Sequence, residues 1–311
     1  MGYEHMGEAE TSLFSSAAGR QLLQSVWKPE GQPRAILQIV HGMAEHIACY
    51  DEMAKRLNRE GILVAGHNHP GHGEQAEVLG WFGKGGFDAL VNDTHTLRRI
   101  LENAYPGVPV FLFGHSMGSF VVRNYCLKYE QGLAGVILSA TGHFTPSLLA
   151  PGLLIANLFC ALGAEKKPAM LLEAMSFAGY NKEWSPARTP KDWVSRNEEK
   201  VDRYVADPLC GFPFTNGGYR DMFRGLVNLY PGKLGTMEKN VPVLLYSGER
   251  DPLGGRGKGV RKVTEEIRAA GVLDVTMKLY EGCRHEMHNE PNREEVFLDL
   301  LRWLEARLNR Q

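Results

Sequence analysis

The 311-residue chain has no excess of either charge: 35 Lys and Arg stand against 36 Asp and Glu, for a net charge of −1 with histidine neutral. So balanced a surface leaves no electrostatic footprint for nucleic acid, and nucleic-acid binding is set aside. Cysteine is scarce too. Cys49, Cys126, Cys160, Cys210 and Cys283 are odd in number and lack paired spacing, and no basic-then-apolar leader is present. The expectation is reduced thiols in a cytoplasmic protein. A myristoylation signal is missing, because Met6 stands where Ser or Thr is required. The most apolar segment, Ser147 to Leu162, is interrupted by Pro151, Gly152 and Asn157 and falls short of the ~20 residues of a membrane span.

Metal and phosphate motifs are absent as well. His41-x-x-x-Glu45-His46 is one residue too long for an inverted zinc motif, and His285-Glu-Met-His288 is one too short for His-Glu-x-x-His. His67, His69 and His72 are crowded together, but Gly71 and Gly73 mark that segment as a turn. Gly254 to Gly259 lacks the first glycine of a phosphate loop and the Ser or Thr after Lys258. Its simpler role is to shape the turn behind Asp251, with Arg256 and Lys258 available to an anionic head group.

What is present is Gly114-His-Ser-Met-Gly118, entered from the apolar run Val110–Phe113 and followed by a helix-like stretch. The five residues alone are weak evidence. A strand before them and a helix after them make a nucleophile elbow, a turn so tight that only glycine on either side leaves room for a strained serine. Ser116 would then project above the end of a sheet.

A serine nucleophile needs a base, and the base needs an orienting carboxylate. On such an elbow the chain order is Ser, then Asp or Glu, then His. Only His143, His285 and His288 follow Ser116. Two strand-like runs, Val241–Ser247 and Val275–Tyr280, lead into Gly248-Glu-Arg-Asp251 and Glu281-Gly-Cys-Arg-His285. Functional groups of parallel sheets lie beyond the C-terminal strand ends, so Asp251 and His285 are the expected partners. Asp274 precedes its strand and is rejected. His143 precedes every plausible acid, and His288 lies farther from the strand end, where a supporting or helix-start role suits it. The oxyanion would be held by two backbone N–H groups, that of Met117 after the nucleophile and that of Met43 in the turn after Ala35–Val40.

The six apolar runs Ala35–Val40, Ile62–Gly66, Val110–Phe113, Gly135–Ser139, Val241–Ser247 and Val275–Tyr280 alternate with helical patterns, which implies a mainly parallel, doubly wound sheet. An N-terminal hairpin, Thr11–Ser16 and Leu22–Trp27, brings it to eight strands flanked by helices. Between Ser139 and Val241 the alternation stops for about a hundred residues, too long for a loop. The expected division is an α/β core of residues 1–142 and 239–311 with a helical cap, 143–238, inserted in it. Thr189-Pro-Lys-Asp192 reads as a helix start and Glu198-Glu-Lys200 as a solvated face. The apolar segment at 147–162 has two readings. It is either a lid lining an acyl-chain tunnel through Leu148, Leu153, Ile155, Leu158 and Phe159 and resting on a membrane or micelle, or a helix buried within the cap.

These motifs, with His41-Gly-Met-Ala-Glu-His46, His69-Pro-Gly-His-Gly73 and Glu249-Arg-Asp-Pro252, resemble in order and over nearly the whole chain the α/β-hydrolases of the monoacylglycerol lipase and lysophospholipase branch, often labelled serine aminopeptidase-like. The chain departs from that pattern at Asn68, usually Asp, and at Gln75, usually Ser. The resemblance implies a serine ester hydrolase acting on a small lipid-like ester, without metal or organic cofactor, and peripheral to the membrane if its cap touches lipid. Two rivals stay open. An aminopeptidase-type enzyme would need carboxylates aimed at the site, for which Glu165, Glu173, Asp192 and Asp207 are available. A catalytically silent receptor would retain a small ligand under the cap.

Overall fold

The computed structural model describes residues 8–16, 18–230, 233 and 236–309. Eight strands form one sheet: β1 (Glu10–Ser15), β2 (Gln21–Trp27), β3 (Ala35–Val40), β4 (Ile62–His67), β5 (Val110–His115), β6 (Gly135–Ser139), β7 (Val243–Gly248) and β8 (Val275–Tyr280). Their order is β1-β2-β4-β3-β5-β6-β7-β8, antiparallel from β1 to β4 and parallel from β4 onward. The parallel strands β3 to β7 are buried along their whole length, because helices cover both faces and no residue can be left polar for solvent.

The period of two then sorts side chains between two cores. Ile39, Phe113, Ile137 and Leu244 stand side by side across four strands. They point to the layer formed by α1 (Asp51–Asn58) and α9 (Arg293–Leu308), where Leu57, Phe297 and Leu304 are packed. Ile36, Leu112, Val136 and Val243 point the other way. That face carries α2 (Gly86–Ala104), α3 (Met117–Tyr129) and α8 (Lys258–Ala269), represented by Leu97, Val121 and Val263. Every residue from Met117 to Cys126 in α3 is buried, so this helix shows no polar stripe.

Between β6 and β7 the described residues carry no sheet strand. They form α4 (Pro146–Ala161), α5 (Met170–Ser176), α6 (Glu198–Ala206) and α7 (Asn216–Val227), with short 3-10 turns between α5 and α6. Thr145 starts α4 by accepting from Leu148 N at 3.3 Å, with Pro146 in the first turn. α4 lies on α7, and Gly152 meets the Phe223 ring so closely that a methyl group there would clash.

Thr189 does not begin an α-helix as expected. The Asp192 carboxylate takes the N–H groups of Arg188 and Thr189 and the Thr189 hydroxyl, which closes a turn leading only to the 3-10 segment Asp192–Val194. The helix begins later, at Glu198, under an Asn197 side chain that accepts from Lys200 N at 3.4 Å. Nor is Lys200 on a solvated face: it pairs with Glu52 of α1.

Candidate active site

The site lies at the C-terminal edge of the sheet, at the point where the chain, having laid β4 on one side of β3, lays β5 on the other. Ser116 sits between β5 and α3 with φ 52° and ψ −119°, a left-handed conformation costly for any side chain. Its N–H donates to Ser139 O at 3.0 Å, and its carbonyl accepts from Ser119 N at 2.9 Å and from the Ser119 hydroxyl at 2.6 Å. Glycine is needed on both flanks. A methyl group on Gly118 would collide with the Val40 carbonyl, and one on Gly114 would lie 2.5 Å from Gly118 O.

Asp251 follows β7 and His285 follows β8. His285 Nδ1 lies 3.0 Å from Asp251 Oδ2, within pairing distance though off hydrogen-bond alignment, as often found before substrate binds. Asp251 is fully buried and fixed from behind: Ser247 Oγ donates to Oδ2 at 3.1 Å and Leu253 N to Oδ1 at 2.9 Å. The His285 ring is held between Trp193 of the inserted segment and His115 of β5, both with centroids 4.9 Å away. His288 lies edge-on to the same His115 ring, with centroids 5.1 Å apart. It stacks on Tyr50 at 4.7 Å, and burial pushes its pKa down to about 3.

The turn after β3 faces Ser116. Gly42 N donates to the Glu45 carboxylate and Ala44 N to His72 Nε2 at 3.2 Å, while Ala44 holds φ 52°. Among the described residues, neither the Met43 N–H between them nor the Met117 N–H at the start of α3 has an acceptor. The crowded histidines behind this turn are its scaffold. His41 Nε2 accepts from His69 N at 3.0 Å, which leaves Nδ1 to donate to Gly42 O at 2.9 Å. Burial holds His41 and His69 well below the usual range, His67 at about 3 and His72 at about 4, so all four are neutral. Asn68 belongs to the same scaffold, its side-chain oxygen accepting from Ile47 N at 2.9 Å.

A cavity of about 460 Å³ opens above Ser116, lined by Met43, Met117 and His285 below and by apolar side chains of the inserted segment above, among them Leu172, Met222 and Phe223. Of the five α4 residues expected to line it, only Leu148 does, beside Leu149, Pro151 and Gly152. Leu153 and Ile155 instead pack against the core beneath α4, while Leu158 and Phe159 face outward, 57 % and 36 % exposed. The reason is geometric. α4 is apolar all round, so its composition gave no direction, and the side that lies on α7 decides which residues can reach the cavity.

Two carboxylates at the floor escaped sequence reasoning. Glu45 accepts from Tyr50 OH at 2.8 Å, and burial raises it well above the usual carboxylate range. Glu286, next to His285, accepts from Asn289 Nδ2 at 2.9 Å and is raised by burial to about 7. Its position after the histidine is the one signal that could have drawn attention to it.

A family model described as serine aminopeptidase, S33, matches residues 31–292. The chain is 28 % identical over 303 residues to the monoacylglycerol lipase of Mycolicibacterium smegmatis, covering 95 % of this chain and 96 % of that one. It is 32 % identical over 282 residues to the monoglyceride lipase of Rattus norvegicus, covering 88 % and 83 %. A thermostable carboxyl esterase from Bacillus coagulans superposes with a TM-score of 0.90 at 28 % identity, covering 97 % of this chain and 99 % of that one. With an α/β-hydrolase sheet and relatives of this kind, the chain belongs to the serine aminopeptidase S33 family, on its monoacylglycerol lipase branch, and is a serine ester hydrolase.

Proposed function

We propose that the protein cleaves esters of a single long acyl chain, monoacylglycerol or lysophospholipid first, through an acyl-enzyme on Ser116. The observation that carries this reading is the opening of Ser116 and His285, the latter backed by buried Asp251, onto one apolar cavity of about 460 Å³. Asp251 would fix the His285 tautomer with Nδ1 protonated, leaving Nε2 to take the Ser116 proton as the hydroxyl attacks the ester carbonyl. The unpartnered N–H groups of Met43 and Met117 would receive the oxyanion, the second aided by the positive end of α3. His285 then protonates the leaving alcohol, and water releases the fatty acid. Residues 143–238 act as the cap and residues 1–142 and 239–311 as the core.

The peptidase alternative is less well supported. Of its four candidate carboxylates only Glu173 lines the cavity, where it accepts from Tyr219 OH at 2.7 Å and shares the lining with Lys191. A free amine would meet that lysine as well. Glu165 is taken up by Arg220, Asp192 by its own turn and Asp207 by His46.

Lipid contact is supported by the outer side of the cap, where Leu154, Leu158 and Leu162 of α4 and its end are 71, 57 and 71 % exposed beside exposed Met170 and Leu171 of α5. No described helix is long and apolar enough to cross a membrane. An apolar stripe beside the cavity suits a protein that collects its substrate at a lipid surface.

Hydrolysis of p-nitrophenyl esters of rising chain length, monoacylglycerol, lysophosphatidylcholine and an aminoacyl anilide tests the reading. Ser116→Ala is expected to abolish turnover, and Asp251→Asn to leave the fold intact while lowering kcat by something approaching ~10⁴. Preference for the anilide, or only modest losses in both variants, would overturn it.

The Leu154→Asp/Leu158→Asp variant should raise KM on vesicle-borne monoacylglycerol by on the order of tenfold and leave hydrolysis of a soluble short-chain ester unchanged. Equal effects on both substrates would remove the lipid-contact role.

Glu286 gives a pH prediction. Burial lifts it from 4.5 to about 7, so the native state binds this proton more tightly than the unfolded chain. Its contribution therefore favours folding below pH 4.5, declines as pH rises to 7, and above that leaves an ionised buried carboxylate costing on the order of 3 kcal/mol. Glu286→Gln should stabilise the protein in denaturant titrations at pH 8 and scarcely alter it near pH 4.5. The same change at both pH values would contradict the assignment.

A further inference from the structure

Beside the turn that carries Met43, three soft donors converge from distant parts of the chain. His46 and Cys49 lie between β3 and α1, Cys210 lies in the cap after α6, and one ligand atom from each is within 4.8 Å of the other two. The Cys49 and Cys210 sulfurs are 3.7 Å apart. A tetrahedral ion with Zn–S bonds of ~2.3 Å would hold its two thiolates ~3.8 Å apart, whereas a disulfide requires ~2.05 Å. The observed spacing needs almost no adjustment to accept the ion.

The surroundings are those of a ligand set already oriented. His46 Nε2 bonds to Asp207 Oδ2 at 2.9 Å, and the other oxygen of that carboxylate accepts from Leu209 N at 2.8 Å. A carboxylate behind an imidazole fixes its tautomer and strengthens it as a ligand, here making Nδ1 the nitrogen that would meet the ion. Thiols ligate zinc as thiolates, so binding the ion releases the two cysteine protons to solvent. A cleft of about 250 Å³, lined by these residues with Glu52 and Lys200, gives access from solvent.

We propose that His46, Cys49 and Cys210 form a zinc site of one imidazole and two thiolates, with a water in the fourth position, that fastens the cap to the turn carrying Met43. Thiolate and imidazole donors in this number favour a d10 ion such as Zn²⁺ over Mg²⁺ or Ca²⁺. The cap is already tied to that turn at Ala44, whose carbonyl accepts from Gly211 N at 2.8 Å and from Tyr204 OH at 3.1 Å. Zinc would add a bond at the residue next to Gly211. Its role is structural, and the ester chemistry at Ser116 does not pass through it.

The test uses the full-length protein, reduced and freed of metal by a chelator, and titrated with Co²⁺ and then Zn²⁺. One equivalent of Co²⁺ should produce a sulfur-to-cobalt charge-transfer band in the near ultraviolet with the visible bands of a four-coordinate ion, and one equivalent of Zn²⁺ should displace it and raise Tm. The Cys49→Ser/Cys210→Ser variant should lose the band while keeping its circular dichroism and its hydrolysis of a soluble ester. Asp207→Asn should keep the band with an affinity lower by 10- to 100-fold, which separates a ligand set from mere packing. No charge-transfer band in the wild-type protein, or an equal band in the double serine variant, would overturn the proposal.

Discussion

The closeness of three backbone segments at the C-terminal edge of the sheet governs the rest of this molecule. Ser116 can sit at φ 52° only because Gly114 and Gly118 let the end of β5, the start of α3 and the end of β3 touch without side chains between them. Gly42 completes the contact, where a methyl group would come within 3.2 Å of Ser116 Cβ. The strain is held in place by what lies around it: a wholly buried α3, strands buried on both faces, and hydrogen bonds from Ser119 that grip the Ser116 carbonyl. In such surroundings the turn cannot relax, and the serine is presented to the cavity without a search through rotamers and loops.

The inserted segment is joined to the same edge by polar bonds at the histidine loop. Glu290, fully buried, takes Arg196 Nε at 2.6 Å from the insertion and Arg284 N at 2.8 Å from the loop carrying His285. Arg284 in turn reaches the carbonyls of Asp192 and Ser195, and Glu286 N donates to Val194 O at 2.6 Å. The loop carrying His285 and the roof of the cavity are therefore positioned by one network. A displacement of the roof would carry Trp193 away from the His285 ring and loosen the groups that hold it.

The sheet was legible because a parallel strand leaves an unambiguous mark, a short apolar run closed by glycine or a polar turn, and because functional groups of such sheets lie just past the strand ends. That rule sufficed to nominate Asp251 and His285, which the fold brings together from 34 positions apart in the chain. Direction within the insertion was not legible. A helix apolar on every side, such as α4, carries no period to say which residues face the cavity, and Leu158 and Phe159 turn to solvent while Leu149 and Gly152 turn inward. Thr189 failed as a helix start because Asp192 captured its hydroxyl and N–H groups locally. The neighbours His46, Cys49 and Cys210 were invisible for another reason: motif spacing speaks only for ligands close in sequence, and this cluster is closed by a contact between residues 161 apart.

The central claim, an acyl-enzyme on Ser116, is tested most directly by mass. The wild-type protein is mixed with a long-chain p-nitrophenyl ester, whose good leaving group makes acylation fast, and quenched in acid within the first turnover. Intact mass and peptide mapping then locate any adduct. One acyl group on Ser116 is expected; an unmodified protein during active turnover, or an acyl group on another residue, would contradict it.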